Sequence, residues 1–141
     1  MFGRPTSCRL LGSETAIAIW RPLGVRLRMA TLAGLPSGEN GCEAPGSIYI
    51  HSVEVVGRQW QTPKGLSVGL PAGVIRRLYP EAIFQRHRRG DWPAPAYWLI
   101  HRRMACIGVC ATRFVAVPRL SAYVKAGRVA GFFFPVGAEG E

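Results

Sequence analysis

The chain has 141 residues, of which 48% are hydrophobic and 18% charged, and it carries a net charge of +10. This balance excludes a disordered polyelectrolyte, and the length suits one domain able to bury about two thirds of its unfolded surface. No run approaches the roughly 18 apolar residues of a membrane-spanning helix, and 17 Gly with 11 Pro predict many turns and more strand than helix.

Residues 1–23 are expected to pack loosely or to precede the native start, because Arg4-Pro5-Thr6-Ser7 shows no apolar period. Within them Thr15–Trp20 (TAIAIW) is β-branched and aromatic enough for a strand, which Arg21-Pro22 stops. The best export-signal candidate, Leu10–Trp20, is broken by Ser13 and Glu14 and lacks a suitably placed small-residue cleavage site. Gly24-Val25-x-Leu27-x-Met29 is echoed 41 residues later by Gly65-Leu66-x-Val68-x-Leu70, so residues 24–62 are read as a degenerate first repeat. Residues 35–46 form a loop by composition, and Ser47–Val56 reads as the strongest strand of this half. Alternation there places Ile48 and Ile50 on one face and Tyr49, His51, Val53 and Val55 on the other.

Residues 63–137 are expected to contain a helix followed by an antiparallel sheet. Pro71 sits at a first helical position, Val74, Ile75 and Leu78 recur at helical spacing, Arg76 and Arg77 face away, and Pro80 forbids continuation. One short amphipathic helix over 71–79 follows. Strands are predicted at Ala82–His87, Ala96–Arg102, Thr112–Val117 with Leu120–Val124, and Arg128–Phe134, the last entered by a tight turn at Lys125-Ala126-Gly127. The fold class expected is α+β: one short helix packed on an antiparallel sheet of about four strands, after a strand-rich N-terminal half, all in a single domain.

The pattern Gly65-Leu66-x-Val68-Gly69, then Val74-Ile75 and Leu78-Tyr79-Pro80, resembles the glycine-led turn and helix that open repeats in small bacterial cell-envelope proteins. These are the β-lactamase-inhibitor-protein type and the related outer-membrane-assembly lipoproteins. The resemblance runs from Gly65 to the C-terminus, where Gly127-Arg128-Val129 is similar to the turn into the family's last strand. The chain differs in having Leu70-Pro71 where the family has a small polar or acidic cap. The resemblance implies a secreted or envelope-anchored binding protein, met on the open face of its sheet by another protein or an anionic envelope polymer.

All basic residues except Lys64 and Lys125 are Arg, which favours carboxylate or phosphate partners over simple point-charge contacts. The candidate binding residues are two clusters, Arg86, Arg88 and Arg89 with Trp92, and Tyr97 and Trp98 with Arg102 and Arg103. The aromatic side chains serve as anchors and the arginines as an electrostatic rim. Arginines interleaved with aromatic rings also fit single-stranded nucleic acid, the first alternative. The second is a small serine hydrolase: Gly65-Leu66-Ser67-Val68-Gly69 matches G-x-S-x-G, and Asp91 and His101 follow in hydrolase order. Against it, Pro63 stands where a nucleophile elbow needs a buried strand. Paired carboxylates at a catalytic spacing are not apparent, and a non-catalytic role is expected.

Cys8, Cys42, Cys106 and Cys110 allow three pairings in an oxidising compartment, and the short separation of Cys106 and Cys110 favours that pair, with Cys8 and Cys42 left to close the other half. In the cytosol they would stay thiols. His87 and His101 with Cys106 and Cys110 have no compact zinc-finger spacing, so no metal or cofactor is expected.

Overall fold

The computed structural model describes residues 4–11, 15–31, 48–90, 92–105 and 114–136. The described residues form eight strands, β1 (Ser7–Leu10), β2 (Thr15–Trp20), β3 (Val25–Thr31), β4 (Ile48–Val55), β5 (Ile83–Gln85), β6 (Ala96–Ala105), β7 (Phe114–Lys125) and β8 (Arg128–Pro135), with one α-helix, α1 (Gly73–Leu78), and a single 3-10 turn at Arg21–Leu23. They form a single antiparallel sheet in the order β1-β2-β3-β4-β8-β7-β6-β5. Two four-stranded meanders are thus joined where β4 pairs with β8, a short seam from Ser52↔Pro135 to Val55↔Phe132.

This overturns the expected α+β architecture of a helix on about four strands. Residues 7–10, expected to be loose, pair with β2 from Ser7↔Ile19 to Leu10↔Ala16. The strands of the first half do not form a separate repeat; they extend the C-terminal sheet. A four-stranded sheet ending at β8 would expose a row of unpaired backbone groups, and β4 occupies them instead. The two members of the sequence echo also fold differently, since Val25–Thr31 is a strand while residues 66–70 form turns. Local pattern resemblance carries no information on which long-range partner a strand will find.

Alternation along each strand gives the sheet two unlike faces. The first face carries Val25 and Leu27 of β3, Val53 and Val55 of β4, Phe132 and Phe134 of β8, Leu120 and Ala122 of β7, and Leu99 of β6, packed as one apolar cluster. A β-bulge alters β4: the register passes from Arg28↔Ser52 to Met29↔Ile50 and skips His51. The extra residue shifts Ile50 onto the same side as Val53 and Val55, beside which it lines a groove, contrary to simple alternation.

The segment 56–82 covers part of this face. Leu66 and Ile75 are fully buried in it, each contributing roughly 1.5–3 kcal/mol by removal of apolar surface from water. The helix begins at Ala72 without a side-chain cap. Its first turn is closed instead by Val74 N–H to the Pro71 carbonyl and Ile75 N–H to that of Ala72, both at 3.0 Å. Backbone bonds from Gly69 to Val129 (2.8 Å) and from Ala72 to Gly127 (2.9 Å) tie the segment to the β7–β8 hairpin. That hairpin turns at Ala126 and Gly127, both at positive φ (52° and 72°), as a two-residue turn matched to strand twist requires. β7 runs unbroken through Pro118, which pairs with His101 next to a register irregularity and has no β8 partner among the described residues, a place that tolerates its missing N–H.

Candidate functional site

The second face is built differently. Arg26↔Glu54 and Arg28↔Ser52 lie opposite each other on β3 and β4, Glu54 opposes Phe133 on β8, and Phe133 opposes Ser121 on β7, which opposes Trp98 on β6. Tyr123 lies opposite Gly131. A Cβ at Gly131 would meet the Tyr123 ring and the Val55 carbonyl, each at 2.7 Å. The bare glycine therefore lets the phenol cross β8 and donate to Glu54 Oε1 at 2.6 Å. The other oxygen of Glu54 accepts from Arg26 Nη1 at 3.1 Å. The chain Arg26–Glu54–Tyr123 thus fastens β3, β4 and β7 together across the short seam between the two meanders. Burial, and then the hydrogen bond to Glu54, push the Tyr123 phenol well above its ordinary value of 10.0.

Residues 86–90 and 92–95, between β5 and β6, fold across this face. Buried Gln85 holds both ends: its amide donates to the His87 carbonyl at 2.9 Å and its oxygen accepts from Trp98 Nε1 at 2.7 Å. Trp92 meets buried Trp98 edge-on at 6.3 Å, and the Arg89 guanidinium lies 5.8 Å from the Trp98 ring centre. Arg88 and Pro93 are thereby brought over β3, β4 and β8, where with Ile17, Arg26, Arg28, Ser52, Glu54 and Phe133 they enclose a hollow of about 120 Å³. Ser52 is 4% exposed, and its hydroxyl makes no hydrogen bond to any described residue. The exposed Arg88 likewise has no ion pair or hydrogen bond among the described residues.

Of the residues singled out in the sequence, Arg88, Arg89, Trp92 and Trp98 come together here. Arg86 is exposed on the same loop. Tyr97 does not join them: it faces the helix layer, its ring 5.0 Å from Phe84 with the Arg76 guanidinium 5.4 Å from its centre. Arg102 and Arg103 lie four and five residues along β6 from Trp98, roughly 13 Å or more at strand spacing. Arg26, Arg28, Ser52, Glu54 and Tyr123 escaped sequence reading. Arg26, Arg28, Ser52 and Glu54 alternate with apolar residues on what reads as an ordinary solvated strand face.

Ser67 sits in a loop bridged to Gln61, and its hydroxyl reaches only the Gly65 carbonyl at 3.5 Å. No strand leads into Gly65. His101 turns a ring nitrogen to the Glu81 carbonyl at 3.4 Å, and Asp91 lies outside the described residues. Cys8 is half-buried on β1; Cys42, Cys106 and Cys110, and with them every expected pairing, lie outside the described residues. Among the described residues no three His, Cys, Asp or Glu side chains converge, and no helix is long and apolar enough to cross a membrane.

A larger concavity, about 460 Å³, opens on the first face beside Trp60, lined by Leu27, Ile50, Val53, Phe132 and Phe134 among others. No charged side chain lines it among the described residues; Gln61 and Thr62 are its polar side chains, and the rest of the lining is apolar. No family model, curated protein or solved structure matches this chain.

Proposed function

We propose that the protein is a non-catalytic binding protein of the bacterial cell envelope or secreted fraction. Its partner is another protein or an anionic envelope polymer that presents carboxylate or phosphate groups to the second sheet face. The observation that carries this reading is the placement of Arg88 over Arg26 and Arg28 by a loop pinned to Trp98. Arginines concentrated at a recess steer and orient oxyanions, and the net charge of +10 favours the same encounter. The envelope assignment draws on the likeness of the Gly65–Pro80 stretch to the β-lactamase-inhibitor-protein type and on four cysteines, which suit an oxidising compartment.

Stacking of single-stranded bases is less well supported. Trp98 is buried beneath Arg89 and Trp92, and Tyr97 faces the opposite side, so no row of open rings accompanies the arginines. The test is sedimentation of purified protein with washed cell-envelope material, in parallel with a gel shift on a single-stranded oligonucleotide at two salt concentrations. Envelope retention lost in Arg88→Ala/Arg89→Ala supports the proposal. A steeply salt-dependent gel shift without envelope retention assigns the chain to nucleic acid instead. Intact mass with and without reductant and alkylation counts disulfides, and four alkylatable thiols in the native protein would remove the oxidising compartment.

A further inference from the structure

We infer that the hollow that β3, β4 and β8 form with Arg88 and Pro93 is a binding site for a phosphate monoester group carried by the partner; this rests on the proposed binding role of the second face. Three guanidinium groups, Arg26, Arg28 and Arg88, and one carboxylate, Glu54, line it. Both oxygens of Glu54 are engaged, by Tyr123 and by Arg26. The carboxylate therefore acts as a bracket that fixes Arg26, whose charge balances its own. Ser52 adds a buried hydroxyl with no hydrogen-bond partner among the described residues, and a buried donor left unmade is costly unless something fills the place.

Size and donor geometry narrow the ligand. The hollow, about 120 Å³, is several times what a single water needs and has room for a tetrahedral oxyanion. Arg26 and Ser52 stand on adjacent strands of the sheet, and Arg88 on the loop opposite. Guanidinium and hydroxyl donors set on two walls suit the several oxygens of a tetrahedral dianion better than a planar carboxylate, whose acceptors lie in one plane.

The test is calorimetric titration of the full chain with inorganic phosphate, methyl phosphate and acetate at matched ionic strength, with melting temperatures read alongside. One saturable site for both phosphates is expected, with acetate at least about tenfold weaker and Arg88→Ala about tenfold weaker for methyl phosphate. Arg88 is exposed on a loop, so the variant should fold. Ser52→Ala should keep or raise the melting temperature without phosphate, yet show a smaller rise when phosphate is added, which a purely structural serine would not do. Equal binding of acetate and methyl phosphate, binding of inorganic phosphate alone, or unchanged affinity in Arg88→Ala each overturns the inference. Envelope retention that survives while methyl phosphate fails to bind overturns this site and leaves the binding role standing. The reverse pattern overturns that role alone.

Discussion

The two faces of the sheet use the same strands for opposite ends. On the first, side chains from five strands meet Leu66, Ile75 and the rest of the 56–82 segment in one apolar cluster, where no charge is needed and shape decides. On the second, the same alternation presents Arg26, Arg28, Ser52, Glu54 and Tyr123, with directional bonds joining Arg26, Glu54 and Tyr123, under a loop that an arginine and two tryptophans hold in place. The difference teaches that stability and recognition are separable here. Substitutions on the first face should change unfolding with little effect on partners, and those at the rim of the second should do the converse.

The largest effect should come from the first face. Ile75→Ala empties a fully buried position and is expected to lower unfolding free energy by about 2–5 kcal/mol in denaturant titration. A loss under ~1 kcal/mol would mean that the helix layer does not seal the core. Next comes Gly131→Ala, which forces a methyl group against the Val55 carbonyl and the Tyr123 ring. A cost of about 1–3 kcal/mol is expected, together with loss of the Tyr123–Glu54 bond.

Tyr123→Phe removes that bond alone and should cost about 1–2 kcal/mol, with positive coupling to Arg26→Gln in a double-mutant cycle if the two residues share Glu54. The variant also tests the pH dependence. Because the folded state holds the phenolic proton more tightly than the unfolded chain, its contribution is complete below the unfolded value near 10 and is lost as pH rises beyond it. Wild type should therefore lose stability in alkali more steeply than Tyr123→Phe, and identical slopes would mean the phenol is not held in this way. The smallest stability effect belongs to Arg88→Ala, within about 0.5 kcal/mol of wild type, although it should impair binding most. A marked fall in its melting temperature would mean that the loop, and not a ligand, needs that guanidinium.

Much of the local structure was legible. The helix Gly73–Leu78 lies inside the predicted 71–79, and β2 spans Thr15–Trp20 as β-branched composition implied. The tight turn at residues 125–127 is a two-residue hairpin. In each case the signal is a few neighbouring residues whose backbone preferences agree. What escaped was non-local. The strand at Ser7–Leu10 has no period of its own and exists because β2 offers an edge. Ile50 changes face through a bulge that depends on the partner strand. Half of the candidate binding cluster, Arg88, Arg89, Trp92 and Trp98, was visible as a run of arginines and aromatics. Its other wall, Arg26, Arg28 and Ser52, comes from strands 36 to 62 residues earlier and has no mark of its own.

The amino-acid sequence by itself determined where the chain turns, where it forms its one described α-helix, which residues alternate within most strands, and the positive charge that sets the sign of a partner. Those properties follow from short-range backbone sterics and from composition. The pairing of β4 with β8, and therefore the meeting of Arg26, Glu54 and Tyr123 beneath Arg88, was decided only in the tertiary structure. Backbone hydrogen bonds are chemically alike along every edge, and the choice among edges falls to side chains far apart in the chain that must pack on both faces at once.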